Sequence, residues 1–280
     1  MQLFVDPSIA SVLAGALGLV IGSFLNVVIH RVPIMLERRW QHEAATLRGE
    51  VPEPQPTFNL LTPRSRCPSC GHAITAAENI PIVSWLWLRG RCGACKTAIS
   101  PRYPIVEATT GLLFALCAWS FGPTWQALAA MVLVAVLIAL TAIDLDTQLL
   151  PDGMTLPLLW LGLLVNLGHL FARLPDAVIG AAAGYLALWS IYWLFKLATG
   201  KEGMGYGDFK LLAALGAWFG WQALPMLLLV SSVVGAAVGI VVIALRRGQG
   251  GTAIAFGPYL AIAGILTLFV GDSIRRLILG

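Results

Sequence analysis

Eight apolar runs, each near the length a helix needs to cross a bilayer, constrain this chain more than any other feature. They lie at about 8–30, 104–122, 124–143, 154–172, 177–196, 208–222, 224–245 and 254–272. A transmembrane helix needs about 20 apolar residues. The expectation is an all-α polytopic membrane protein with about eight transmembrane helices. Composition agrees: 58% of the 280 residues are hydrophobic and 11% are charged, against about a quarter charged in a typical soluble chain. The first run has no basic flank before it and runs into Asn26 and His30 with no small-x-small cleavage site. It therefore reads as a retained span, not a cleaved signal. The seventh run carries Gly235 and Gly239, a spacing suited to close helix packing.

The net charge is +4, and its distribution says more than its sum. Ten of the 18 Lys and Arg residues lie between Arg31 and Arg102, among only five acids, Glu37, Glu43, Glu50, Glu53 and Glu78. A basic loop of this kind fits a cytoplasmic domain under anionic lipid better than a nucleic-acid binder. With eight spans and this loop inside, both termini fall outside. The cytoplasmic side then collects 15 of the 18 basic residues, including Arg246 and Arg247, and leaves Arg173, Arg275 and Arg276 opposite. The first part of the loop, 37–58, contains Pro52, Pro54 and Pro56 and reads as an amphipathic or irregular arm.

The second part holds Cys67 and Cys70, then 21 residues, then Cys92 and Cys95. Two residues between sulfurs let one tight turn aim both thiolates at one ion, and two such turns complete a tetrahedral set. Gly71 and Gly93 suit those turns. The expectation is a small zinc-binding domain between the first and second helices. The zinc is structural, because four sulfurs leave no position for an activated water. Two disulfides are the competing reading, which a cytoplasmic setting disfavours. Cys117, in an apolar run, is expected to pack inside a helix.

Two acid-bearing stretches flank the fourth and fifth runs. Asp144 is the second residue of IDLDTQLLPD, and Asp208 ends GMGYGD, 64 residues later. Two crossings return the chain to the same face, so both acids sit at the cytoplasmic end of a span. Carboxylates at such depth are costly and mark candidate functional groups. Brought together, one holds a proton while the other stays charged. Such a pair can activate water against a peptide carbonyl and protonate the leaving nitrogen. The glycines around Asp208 would take positive φ, break the helix and expose the acid to water. Simpler readings stand beside these. Asp152 suits an N-cap, Asp146 a solvated position, and Asp208 alone a cap as well as a functional group. From spacing alone, a proton relay in a transporter is equally open.

These motifs together resemble the type IV prepilin peptidases, or prepilin leader peptidase/N-methyltransferases, over nearly the whole chain. The resemblance rests on GSFLNVVIHRVP from Gly22, the double CxxC and ISPRYP from Ile99 with Glu107 and Thr110-Gly111 after it. The D-x6-PD stretch from Asp144 to Asp152, the GxGD motif ending at Asp208 and FGPY from Phe256 complete it. It implies a GxGD-type membrane aspartic peptidase whose catalytic pair is Asp144 and Asp208. It implies prepilin or pseudopilin substrates, cut after a Gly on the cytoplasmic side of the inner membrane. Methylation of the new N-terminus, usually Phe, by S-adenosylmethionine would follow. The implied division is a first span at 1–30, a zinc-binding domain at 31–103 with a methyltransferase-associated region extending to about 125, and a peptidase domain at 126–280. Glu37, Glu43, Glu50 and Glu53 are candidates to meet a basic leader. Asn26, His30, Arg31 and Glu107 are candidates for methyl-donor or amine contact, with a structural role favoured for each. No Rossmann glycine motif follows a strand, so a soluble Rossmann methyltransferase is not indicated.

Overall fold

The structure is a computed structural model that describes residues 6–50, 56–201, 203–245 and 255–279, without the side chains of 242, 243, 245 and 272–279. Pro52, Glu53, Pro54, Arg246 and Arg247 lie outside the described residues, as do the side chains of Arg275 and Arg276. The described chain is helical, with two isolated β-bridges and no strand. Its α-helices are α1 (Pro7–Leu47), α2 (Val83–Trp87), α3 (Arg102–Phe121), α4 (Trp125–Thr147), α5 (Asp152–Val165), α6 (Leu174–Thr199), α7 (Tyr206–Phe219), α8 (Leu224–Leu245) and α9 (Gly257–Leu279). All but the five-residue α2 correspond to the apolar runs. Five are long and apolar enough to cross a membrane: α1, α3, α4, α6, and the segment Trp221–Val241 that contains most of α8. The helix α7, at 14 residues, is about 21 Å long, short of the ~30 Å hydrocarbon core.

The chain divides into two compact units, Met1–Ala127 and Leu128–Gly280. In the first, α1 and α3 run antiparallel in a register set by small residues. A Cβ on Gly18 would sit 2.8 Å from Gly111 Cα, and one on Gly22 would sit 2.7 Å from Glu107 Cα. One turn further, Asn26 Nδ2 donates to Tyr103 O at 3.2 Å. Only glycine lets the backbones come this close, and in lipid such packing is a main source of helix association. Cys117 is fully buried in α3, as expected.

The first helix runs much further than its apolar run. It passes Pro33 and ends at Leu47, although a proline in the helix interior removes one backbone bond. The returning segment braces it there. The buried Arg31 donates to Asn59 O at 2.7 Å and to Pro63 O at 2.6 Å, and Arg38 stacks 4.4 Å above the Phe58 ring.

In the second unit α7 is the hub. Phe209, Leu211, Leu212, Leu215 and Trp218 are all fully buried on it. Gly180 of α6 and Gly216 of α7 meet backbone to backbone, and Gly162 of α5 leaves room for the Trp218 indole. Trp218 Nε1 donates to Leu158 O at 2.9 Å. The buried Asn166 completes the end of α7: Nδ2 donates to Ala217 O and Trp218 O, and Oδ1 accepts from Phe171 N and Ala172 N. A surrounded helix need not span the bilayer itself, which explains how so short a segment can be the core.

Candidate functional site

Two constellations carry chemistry, one in each unit. In the first unit the Sγ atoms of Cys67, Cys70, Cys92 and Cys95 lie within 4.8 Å of one another. Each CxxC pair sits on a turn closed the same way. Gly71 N donates to Cys67 O and Cys67 N to His72 O; Lys96 N donates to Cys92 O and Cys92 N to Thr97 O. Single antiparallel bridges, Arg66 with Ala73 and Arg91 with Ala98, close the two loops. The left-handed position is Gly71 in the first turn, with φ 71°, and Lys96 in the second, with φ 61°. Gly93 lies in the second turn, as expected, without a positive φ, and the Glu78 carboxylate lies against it. That carboxylate takes the Thr75 N–H, its hydroxyl and His72 Nε2; these bonds, the Thr75 N–H first, hold it down at about 2.

The thiols fit a single tetrahedral metal. Four sulfurs at about 2.3 Å from an ion are about 3.8 Å apart, and Cys67 Sγ and Cys95 Sγ stand 3.8 Å apart. The N–H groups of Cys70 and Ser69 draw Cys67 below its ordinary value. The Thr97 hydroxyl and N–H draw Cys95 down to about 6. At Cys70 the His72 N–H pulls the same way, but burial and the neighbouring thiols win and push it up to about 11. All four sulfurs can be negative together in this space only with a cation among them. Among the described residues this is the one cluster of metal-ligating groups of that kind.

In the second unit four helix ends converge. Asp144 lies in the last turn of α4, which Gln148 ends in a left-handed conformation with φ 54°. Asp208 lies in the first turn of α7. The beginnings of α5 and α9 complete the group. A Cβ on Gly257, the first residue of α9, would meet Asp144 Oδ2 at 2.5 Å, and one on Gly207 would meet Leu150 Cβ at 2.6 Å. Leu150 also packs against Gly257, so its side chain links the starts of α7 and α9 beside both acids. The two carboxyl groups lie within electrostatic reach of each other. Asp144 is 4% exposed and Asp208 7%. Asp144 Oδ2 and Asp208 Oδ1 are buried without a hydrogen-bond partner among the described residues.

Three expectations change here. The acids are enclosed, not open to water. Gly203, Gly205 and Gly207 have no positive φ; Gly207 is required by contact with Leu150, and Gly203 by the Phe195 ring at 2.9 Å from an added Cβ. Asp152 does not cap α5, whose cap position is Pro151. It accepts both of its bonds from Lys210 Nζ, at 2.6 and 2.7 Å. Capping does not account for Asp144 either, because the last turn of a helix disfavours negative charge.

The other polar candidates are tied into the first unit. Asn26 and Arg31 hold backbone carbonyls, and Glu107 Oε2 accepts the Ile82 N–H at 2.7 Å. His30 is exposed. Glu37 accepts from Gln41, Glu43 from Arg39 and Glu50 from Arg48. Sequence reasoning missed the Asp152–Lys210 pair and the Glu107–Ile82 bond, since each joins residues with no spacing signature.

Fold and site define a polytopic helical membrane protein with a four-thiol module in one unit and a buried carboxylate pair at converging helix ends in the other. Residues 16–121 match the family described as the bacterial peptidase A24 N-terminal domain, and 131–240 match the type IV leader peptidase family. The chain belongs to the type IV leader peptidase family. Relatives named prepilin leader peptidase/N-methyltransferase include one from Aeromonas hydrophila, 63% identical over 92% of this chain and 90% of its own. One from Pseudomonas aeruginosa is 59% identical over 93% and 90%, and one from Pseudomonas putida 56% over 97% and 94%. No solved structure matches.

Proposed function

We propose that this chain removes the basic leader from type IV prepilins or pseudopilins after a Gly and then methylates the new N-terminal residue, usually Phe. The methyl donor is S-adenosylmethionine. The observation that carries the peptidase half is the pair of enclosed, unpartnered carboxylate oxygens on Asp144 and Asp208. The names of the relatives support both halves.

Asp144 and Asp208 are the catalytic residues of this reading. One carboxyl carries a proton and the other is ionised, since two close negative charges repel. The ionised group takes a proton from a water as that water attacks the scissile carbonyl, and the protonated group donates to the leaving nitrogen. The peptide C–N bond breaks, no covalent intermediate forms, and the new amine is released. In the second reaction the neutral amine displaces the methyl group from the sulfonium donor. An N–C bond forms, an S–C bond breaks, and the nitrogen then loses a proton.

Cys67, Cys70, Cys92 and Cys95 would hold a zinc ion that cross-links the two turns. Full sulfur ligation suits a structural ion. The peptidase occupies 126–280. The zinc domain, 31–103, with a region extending to about 125, serves methylation. The protein sits in the bacterial inner membrane with Asp144 and Asp208 toward the cytoplasm, where positive loop charge belongs. It has no nucleic-acid partner.

Incubating the full-length protein with a model prepilin and the methyl donor, followed by intact-mass measurement, tests this reading. The product should lack the leader and carry one methyl increment. Cleavage without the increment removes the methyltransferase half, and an intact substrate removes the whole.

A further inference from the structure

The short helix α2 has two unlike faces. Trp85 turns inward, packs on Gly90 and donates from Nε1 to Ile99 O. Val83, Leu86 and Trp87 face outward, exposed by 57, 62 and 76%, and Ile80 just before them by 47%. Four large apolar side chains on eight residues form a surface that needs cover.

The depth of this segment says what covers it. The Ile82 N–H is bonded to Glu107, and Glu107 packs beside Gly22 of α1. Gly22 lies nine residues before Arg31, or about 13 Å along the helix. It also lies inside the apolar run of α1. Ile82 therefore sits below the polar ends of two membrane helices. Its own geometry suits a place without water. It adopts φ 60° and ψ −48°, a strained γ-turn for a β-branched residue, and its N–H is met by a buried carboxylate as lipid requires.

Charge agrees. Trp87 lines one concavity with Arg89, Arg91 and Lys96, all exposed. Glu78 borders Trp87 on the other side, but His72 and Thr75 engage it, and it is the single acid between residues 56 and 106. Tryptophan beside Arg and Lys is the pairing found at anionic membrane interfaces. A basic peptide would be repelled by it.

We infer that the segment Ile80–Trp87 is a wedge that enters the bilayer surface, and that Arg89, Arg91 and Lys96 bind anionic phospholipid headgroups beside it. The four-cysteine module is thereby held flat against the membrane. This rests on α1 and α3 being spans and not on the peptidase assignment.

The test uses full-length protein in vesicles of zwitterionic and anionic phospholipid, with bromine on the acyl chains as a fluorescence quencher. The difference in emission between the natural protein and Trp87→Phe isolates Trp87. That component should lose most of its intensity to bromine placed near the headgroups and less to bromine placed near the bilayer centre. Replacing Arg89, Arg91 and Lys96 by Gln, or removing the anionic lipid, should weaken the quenching. A benzoylphenylalanine in place of Leu86 should cross-link to phospholipid. A Trp87 component quenched by aqueous acrylamide and untouched by brominated lipid overturns the inference. So does a component shielded from both, with Leu86 cross-links to protein, since a protein surface would then be the cover.

Discussion

Lys210 Nζ reaches both carboxylate oxygens of Asp152, at 2.6 and 2.7 Å, and so ties the start of α7 to the start of α5. Lys210 lies two residues after Asp208, and Asp152 eight residues after Asp144. The pair therefore clasps the two segments that deliver the candidate dyad.

Loss of this clasp should act on rate more than on stability. The Asp152 side chain is 58% exposed, so solvent screens the pair and its worth to folding is about 1 kcal/mol or less. A displacement of the acids by about 1 Å costs on the order of 100-fold in rate. Lys210→Met and Asp152→Asn are predicted to lower kcat for prepilin cleavage by about 10- to 100-fold with little change in melting temperature. Normal kcat in both variants contradicts a positioning role.

Gly207 should tolerate no side chain. A Cβ there would overlap Leu150 Cβ at 2.6 Å, and overpacking of this kind costs about 1–3 kcal/mol. Gly207→Ala should lower the thermal midpoint in detergent and slow cleavage together. Leu150→Ala in the same chain should restore much of both. A Gly207→Ala protein with unchanged stability would show that the contact yields freely.

Removal of one cysteine should cost the metal as well as a ligand. Cys92→Ser is predicted to drop bound zinc from about one per chain to near zero, because tetrahedral sites need all four ligands. The fold of the module should loosen, as seen by faster proteolysis between 56 and 101, since binding energy in such sites is folding energy. Absence of zinc from the natural protein, purified without chelator, contradicts the site.

Asn166 should matter far from the acids. Its side chain makes four hydrogen bonds while fully buried. Asn166→Ala removes the donor to the buried Ala217 and Trp218 carbonyls, at about 1–3 kcal/mol for each group that stays unsatisfied. A loss of several degrees in melting temperature is expected, and an unchanged melting curve would mean that water replaces the amide.

Features with a period or a spacing are legible in the sequence. Apolar runs mark membrane helices because lipid admits little else, and CxxC marks a metal turn because two sulfurs must face one point. Asp144 and Asp208 stood out because charge is rare in such runs. Other features depend on contacts that sequence does not encode locally. The helix α1 continues past Pro33 because residues 58–63 return to brace it. Gly93 and Gly207 are glycines because Glu78 and Leu150, distant in sequence, lie against them. Lys96, not a glycine, holds the left-handed position in the second cysteine turn, which residue type alone does not reveal. Asp152 has the local sequence of a cap, but its partner lies 58 residues away.

The measurement closest to the central claim compares single-turnover cleavage of a model prepilin by the natural protein, Asp144→Asn and Asp208→Asn. Each substitution keeps shape and removes a carboxyl group with one oxygen buried without a partner, so both variants should fold and melt no lower than the natural protein. Both are predicted to lose at least about 10²- to 10⁴-fold in cleavage rate, the usual worth of a positioned acid or base. Cleavage at the natural rate by either folded variant would contradict the claim that these two carboxylates act together on the scissile bond.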